Sequence, residues 1–362
     1  MTRVGVVTFH RASNYGAVLQ AYALQEALKG LGCDAEVVDY RSDFIEKHYA
    51  SSVRDTVLNP KKLAIAILKN GYMRNRRGVF DGFRSQHLPM SPPADGRSLP
   101  EALARYDLVI TGSDQVWNTQ TSGFDRNYFL AATGVNARKA AYAASIGMES
   151  VPVEYQDEYQ DLLSDFEVIT VREETAASAL APILGFKPRT VLDPTLLLSR
   201  DEWHDRLGQA SDRSPYILMY LLAETTSVLN YARRLSRHTG MEIRYVTQRL
   251  FRPRGMTILD SLDPAGFVQE FQGASAVVTN SFHGIAFALN FGLNLHYDLL
   301  PASSPVNSRI TDLTRAFNME GRLIGSALLP DRDGSSISAS QGQLAKERER
   351  SRGILADMVA DR

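Results

Sequence analysis

Apolar and polar positions alternate along the first forty residues with two different periods. Short apolar runs at 4–9 and 36–39 predict strands, and the Ala- and Leu-rich stretch from about Tyr15 to Lys29 predicts a helix. A strand, a helix and a strand in succession form a βαβ unit, whose two strands are parallel. The beginning of the chain therefore predicts an α/β fold.

The same rhythm runs on to about residue 195 and then restarts. Further strands are predicted at 107–111, 139–144, 166–171 and 189–192, and a second series has strands at 216–221, 242–246, 274–279 and 293–297. The second series also predicts helices at 226–238, at 264–271 and from Phe282. We therefore predict two Rossmann-like domains with mainly parallel sheets.

Proline and charged residues between the two series indicate where the domains divide. We expect a first domain over 1–197, a linker over 198–214 and a second domain over 215–335. The segment 336–362 has helical spacing from about 341 to 358, and a helix there is placed so that it can return to the first domain.

Composition excludes several classes of protein. With 362 residues, 44% of them hydrophobic and 22% charged, the chain is large enough for two folded domains. The 40 basic and 41 acidic side chains leave a net charge of −1, so no overall field attracts nucleic acid. The single Cys33 cannot form an internal disulfide and is expected to be a packed thiol. Without a signal-peptide layout or a membrane-spanning apolar run, the chain is predicted to be cytoplasmic.

Ligands of open α/β sheets bind beyond the carboxyl ends of the strands, so the loops that follow strands are the places to search. The loop 10–16 contains His10, offers Ser13 or Asn14 as a helix cap, and has Gly16 where a ligand can approach the backbone. It lacks the G-x-G-x-x-G pattern of dinucleotide sites. Plain capping and turn formation is the alternative reading of this loop.

A second loop, 112–118, follows the strand predicted at 107–111. Asp114 is a candidate base for a sugar hydroxyl, and Trp117 is a candidate for stacking on a sugar ring. In the alternative reading, Asp114 caps a helix and Trp117 anchors the core.

A third loop ends the strand at 274–279. Asn280 or Ser281 is expected to cap the next helix, which places His283 in its first turn. The positive end of the helix dipole should lower the pKa of this histidine unless a carboxylate or a bound anion compensates. After the strand at 166–171, Arg172 is a candidate clamp for a carboxylate or phosphate, or else a surface partner of Glu173 or Glu174.

These segments, in this order, resemble the polysaccharide pyruvyl transferase family. The resemblance covers roughly 3–320 and is carried by 13–17, 107–118, 140–147, 171–173, 191–195 and 281–284. It implies two domains in an arrangement similar to GT-B glycosyltransferases. It also implies transfer of the enolpyruvyl group of phosphoenolpyruvate onto two hydroxyls of a cell-surface or exopolysaccharide precursor, as a ketal, with release of phosphate.

The resemblance also implies roles for individual residues. His283 matches a histidine with a catalytic role, Arg172 matches an arginine near the donor, and Asp114 lies where an acid is expected near the acceptor. The expected donor-binding set is Arg172, Asn280, Ser281, Gly284 and Arg309, and the expected acceptor-binding set is Asn14, Tyr15, Gly16, Ser113, Gln115, Trp117 and Asn118. No metal motif is present and no cofactor besides the co-substrate phosphoenolpyruvate is expected.

The chain departs from the family pattern at one position. Better characterised members have an arginine two residues before the histidine, where this chain has Ser281. The donor contact must then come from Arg309, Arg249, Arg252 or Lys139, or the donor differs. Two alternatives therefore stay open: a glycosyltransferase that uses a nucleotide sugar, and a non-catalytic sugar-binding relative.

A basic segment gives a hint about the acceptor. Between Lys61 and Arg84 the chain interleaves basic and apolar residues, as interfacial helices do, which would suit a lipid-linked oligosaccharide and peripheral contact with the inner membrane face. The alternative is a solvated helix with an apolar face toward the core. The oligomeric state is not predicted.

Overall fold

The computed structural model describes residues 1–45, 60–131, 136–209, 214–247, 253–301, 307–325 and 335–360. Its first sheet is parallel throughout, in the order β2-β1-β3-β4-β5-β6. The strands are β1 (Arg3–Val7), β2 (Asp34–Val37), β3 (Leu108–Thr111), β4 (Arg138–Ala144), β5 (Val168–Val171) and β6 (Arg189–Thr190).

The second sheet is also parallel, in the order β11-β10-β7-β8-β9. Its strands are β7 (Tyr216–Tyr220), β8 (Glu242–Val246), β9 (Thr257–Leu259), β10 (Ala276–Thr279) and β11 (Asn294–Tyr297). Two parallel α/β units confirm the predicted fold class. The short strand β9 was not predicted.

Helices surround both sheets. They are α1 (Tyr15–Gly30), α2 (Pro60–His87), α3 (Leu99–Leu103), α4 (Val153–Leu163), α5 (Glu174–Leu184), α6 (Pro194–Leu197), α7 (Arg200–Leu207), α8 (Thr226–Thr239), α9 (Pro264–Gly273), α10 (Phe282–Phe291), α11 (Asn307–Ala316) and α12 (Ser335–Val359). Every residue of α10 is buried, because its sequence is apolar on all sides. This helix is therefore enclosed by protein.

The segment expected as a linker is partly helical. Ser199 and Glu202 form a reciprocal capping box that starts α7, and Trp203 fixes this helix in the core. The charged residues that suggested a loop belong to the exposed side of the helix.

The two domains are joined by close packing. The Tyr15 ring at the start of α1 stacks on Phe267 of α9 with ring centroids 4.2 Å apart, and the Tyr15 hydroxyl donates to the Leu262 carbonyl. Helix α12 follows the second domain and reaches the first sheet, where Arg138 Nη2 donates to the Met358 carbonyl at 3.2 Å. Cys33 lies buried in the core, as expected.

Candidate functional site

His283 lies at the junction of the two domains. Ser281 caps α10 by accepting from Gly284 N, and Gly284 itself packs so closely on β10 that a Cβ would lie 2.3 Å from Thr279 Oγ1. This close packing holds the first turn of the helix against the strand end. The His283 ring then projects onto Gly16 of the first domain, where a Cβ would lie 2.1 Å from its Nδ1.

We expect Gly16→Ala to displace His283 and to destabilise the protein. The added methyl group has no room beside the imidazole, and overpacking of this kind costs about 1–3 kcal/mol. The matched control is Gly30→Ala at the other end of α1, where a Cβ meets nothing within 4 Å. Urea denaturation should show a loss for Gly16→Ala and none for Gly30→Ala; equal midpoints would contradict the contact.

Asp193 is the centre of the site. It is buried, and its Oδ2 accepts from Arg172 Nη1 at 2.9 Å and from Ser113 Oγ at 2.8 Å, and lies 3.8 Å from His283 Nε2. Burial alone would raise the pKa of this carboxyl, but His283 and Arg172 outweigh that effect and lower it to about 2. Asp193 therefore stays ionised and links three of the polar groups at the site.

Sequence reasoning did not nominate Asp193 as a site residue. Its signal was an acid directly after a strand and before a proline, a position that also suits a helix cap. Asp193 is both a site residue and a helix cap, because its Oδ1 accepts from Thr195 N at the start of α6 while its Oδ2 makes the contacts at the site.

Arg172 does pair with Glu173, whose Oε2 accepts from its Nε at 3.4 Å, but both side chains are buried, so the predicted surface position is wrong. Its guanidinium lies 4.5 Å from the centre of the Phe282 ring, and its Nη2 lies 3.9 Å from Asp114 Oδ1. Within the described ranges, this Nη2 has no hydrogen-bond partner. A buried donor without a partner is costly, which suggests that a ligand satisfies it.

Arg309 approaches the same place from α11, a helix that was not predicted. With its amide oxygen toward this arginine, Gln115 accepts from Arg309 Nη2 at 3.0 Å and donates to Thr121 Oγ1 at 2.9 Å. Burial, and then the neighbouring Arg172, lower the pKa of Arg309 to about 10, so it is still charged at neutral pH. Two guanidinium groups thus lie within electrostatic reach of each other.

Burial lowers the pKa of His283, although Asp193 opposes this shift. The imidazole is therefore neutral at pH 7, and its Nε2 has no hydrogen-bond partner among the described residues. A cavity of about 420 Å³ opens beside Phe282 and is lined by Arg172, Asp193 and Arg309. The imidazole lies next to this cavity and is not part of its wall, which the two arginines share with carboxylates such as Glu173 and Asp312; the space is large enough for a small organic molecule.

The other residues predicted to bind the donor are occupied elsewhere. The Asn280 amide accepts from Leu222 N and donates to the Ala223 carbonyl, so it fixes the loop after β7 instead. Lys139 lies at the start of β4, where its Nζ contacts Asp165 at the edge of the sheet away from the site. Arg249 and Arg252 lie outside the described residues. Of the two candidates that the structure describes, Lys139 and Arg309, it is Arg309 that lies at the site.

The predicted acceptor residues divide into two groups. Trp117 is fully buried, and its indole N–H donates to the Tyr128 carbonyl, so the prediction that it stacks on a sugar is wrong. The Asn118 side chain accepts from Gln120 N within its own turn and donates to the Ile146 carbonyl. Asn14 caps α1, as the alternative reading held. The apolar sequence around Trp117 suits both a core and a stacking surface, so the sequence could not separate them.

Asp114 remains at the site. Its φ is 78°, an unusual backbone conformation for a residue with a side chain, and its carboxylate accepts from Gln115 N. The side chain is 17% exposed beside Arg172. A strained backbone held next to a buried arginine is common at functional sites.

The described part of the chain shows neither a metal-binding cluster nor a membrane-spanning helix. No group of three or more His, Cys, Asp or Glu side chains is arranged to hold a metal ion. No helix there has the length and hydropathy needed to cross a membrane.

Comparison with solved structures shows the fold. UDP-GlcNAc 2-epimerase from Methanocaldococcus jannaschii is 13% identical, with 98% of both chains covered and a TM-score of 0.51. A UDP-N-acetylglucosamine 2-epimerase described as putative, from Listeria monocytogenes, is also 13% identical, covering 98% of this chain and 91% of its own, with a TM-score of 0.50. These likenesses support a GT-B-like pair of Rossmann-like domains.

Comparison with sequences gives the family. No curated protein sequence matches significantly. The sequence pattern described as polysaccharide pyruvyl transferase matches residues 14–294, which is most of the chain and includes both sides of the site. The chain therefore belongs to the polysaccharide pyruvyl transferase family.

Proposed function

We propose that the protein transfers the pyruvyl group of phosphoenolpyruvate, as a ketal, to two hydroxyls of a sugar in a polysaccharide precursor. The observation that carries this proposal is the anion-binding cluster at the domain junction. His283 Nε2 and Arg172 Nη2 are buried nitrogens without hydrogen-bond partners among the described residues, and Arg309 adds a second guanidinium beside them. A ligand with both a carboxylate and a phosphate would satisfy these groups.

The reaction balances with these groups alone. A proton adds to the methylene carbon and makes it a methyl group, while the first sugar hydroxyl bonds to C2 and loses its proton. The bond between C2 and the phosphate oxygen breaks, and the second hydroxyl bonds to C2 and also loses its proton. One of the two hydroxyl protons replaces the proton added to the methylene carbon, and the other leaves with the phosphate.

We assign His283 as the acid that supplies the proton. Its pKa is lowered in the unliganded protein, but a bound phosphate would raise this pKa and favour the imidazolium form. Arg172 and Arg309 would hold the donor, with Arg309 in place of the arginine that Ser281 replaces. Asp114, exposed at the edge of the cluster, would accept a proton from the attacking hydroxyl.

Binding of the donor can be measured before any acceptor is known. We expect phosphoenolpyruvate at 100 times its Kd to stabilise the fold by about 2.7 kcal/mol in thermal unfolding at constant ionic strength. Inorganic sulfate at equal concentration is the control for nonspecific anions. Stabilisation by UDP without stabilisation by phosphoenolpyruvate would favour a glycosyltransferase that uses a nucleotide sugar.

We also propose that the protein works in the cytoplasm, with peripheral contact to the inner membrane face. The support is the basic sequence from Lys61 to Arg77, since Arg84 at its end is buried. The side chains of 61–70 lie outside the described residues. Sedimentation with anionic vesicles tests this contact, and no co-sedimentation at low ionic strength would exclude it.

A further inference from the structure

A second polar cavity lies in the first domain, apart from the cluster around His283. It has a volume of about 170 Å³, too small for a whole sugar ligand but suited to a small charged group. This arginine pocket is lined by Arg11, Ser13, Arg41, Ile45, Arg77, Asp81 and Arg84. It lies beyond the carboxyl ends of β1 and β2, on the edge of the sheet where ligands of this fold bind.

Positive charge dominates the lining. One buried carboxylate, Asp39, is shared by His10 Nε2, Arg11 and Arg41. Burial alone would raise the pKa of Asp39, but the hydrogen bonds from His10 and Arg11 lower it far below its usual value, so the carboxylate is already fully used. The guanidinium groups therefore face the pocket, and Asp39, which is already paired, offers no free acceptor there.

Arg84 gives the second observation. Its side chain is only 3% exposed, with Nη1 donating to the His10 carbonyl and Nη2 to Asp81 Oδ1. Its Nε has no hydrogen-bond partner in the described part of the chain. A buried guanidinium with an unsatisfied donor, on the wall of a cavity, is the arrangement that an anion would complete.

The neighbouring groove contains more acidic than basic residues, although Arg97 also lines it. It has a volume of about 420 Å³, shares Arg41 with the arginine pocket, and is lined by the carboxylates of Asp43, Asp95 and Asp125 as well as by Tyr40. Carboxylates accept hydrogen bonds from sugar hydroxyls but repel a phosphate. A phosphorylated sugar at this edge would therefore place its phosphate in the arginine pocket.

The arginine pocket also adjoins the reaction site through one short loop. Ser13 lines the pocket, and Gly16, three residues later, supports the His283 ring. The loop 13–16 therefore connects the wall of the arginine pocket to the support of His283.

We propose that the arginine pocket binds a phosphate or diphosphate group attached to the sugar acceptor. The proposal rests on the proposed function for the sugar, but its binding test does not depend on turnover. Two sources share this chemistry: a nucleoside diphosphate and a lipid diphosphate.

Titration calorimetry with inorganic diphosphate tests the pocket directly. We expect the variant carrying both Arg41→Gln and Arg77→Gln to bind diphosphate at least about tenfold more weakly than wild type, since each substitution removes a charged hydrogen-bond donor. Both side chains are exposed enough for the variant to fold. Arg233→Gln, an exposed arginine on α8 of the second domain, is the matched control.

Variants of the reaction site separate the two hypotheses. His283→Ala should keep this diphosphate binding, because the arginine pocket is intact in it. The titrations are repeated with UDP and with a short isoprenyl diphosphate. The probe that binds more weakly to the double variant than to wild type shows which kind of diphosphate the pocket takes. Equal diphosphate affinity in the double variant and in Arg233→Gln would overturn the proposal. Intact pocket binding with no phosphoenolpyruvate turnover would instead reject the proposed function alone.

Discussion

His283→Ala is expected to reduce phosphate release from phosphoenolpyruvate by about 10²- to 10⁴-fold, the range that a general acid contributes. The substitution removes the imidazole that lies between Gly16 and Asp193 while leaving the helix cap at Ser281 in place. The fold should therefore remain, as circular dichroism and the unfolding midpoint can check. The measurement is phosphate release with an acceptor preparation from a polysaccharide-producing cell.

Proton uptake distinguishes an acid from a residue that only fills space. Because a bound phosphate should raise the lowered pKa of His283, phosphoenolpyruvate binding near pH 7 should take up a proton in wild type but not in His283→Ala. Calorimetry in two buffers of different ionisation enthalpy measures this uptake. Full turnover in the variant, or equal proton uptake in both proteins, would remove His283 from the chemistry.

Arg172→Gln is expected to have two effects of comparable size. Removing the guanidinium leaves the buried Asp193 without its ion pair, and breaking a buried pair costs about 3–5 kcal/mol of stability. It also removes the clamp proposed for the donor, so the KM for phosphoenolpyruvate should rise by about 100-fold, which corresponds to about 2.7 kcal/mol. Urea denaturation and steady-state kinetics measure the two effects separately.

The second domain offers a matched control for Arg172→Gln. Arg244 also lies over an aromatic ring, 3.9 Å from the centre of Tyr216, and contacts two carboxylates where Arg172 contacts three. Arg244→Gln should destabilise the fold without changing the KM for phosphoenolpyruvate. If both variants kept the wild-type KM, Arg172 would be a structural arginine only.

Local patterns were sufficient to predict most of the fold. The strand that ends at Thr279 and the helix that begins at Phe282 follow from a β-branched run, a capping serine and an apolar helix, all within a few residues. The start of α1 was predicted for the same reason. By contrast, β9 has three residues, too few for a periodic pattern, and α11 has ten residues that are mostly polar.

The site was only partly predictable because its contacts join distant segments. His283 and Arg172 were nominated from their positions after strands, but their common partner Asp193 could be recognised only once three strand ends lay together. Trp117 shows the reverse case, since its neighbours in sequence do not reveal that Phe129 and Phe166 enclose its ring. Burial depends on tertiary packing, which a local pattern does not contain.

Helix α12 has a consequence for the order in which the protein matures during synthesis. Leu192 N, next to Asp193, donates to the Ser351 hydroxyl, and Arg348 Nε donates to the Leu196 carbonyl. Domains fold as units while the chain leaves the ribosome, so the first sheet can form long before these partners have been translated. The segment that carries Asp193 then acquires its full set of hydrogen bonds only after α12 emerges. A nascent chain stalled before Ser351 would hold two folded sheets, but the candidate site would lack the hydrogen bonds from α12.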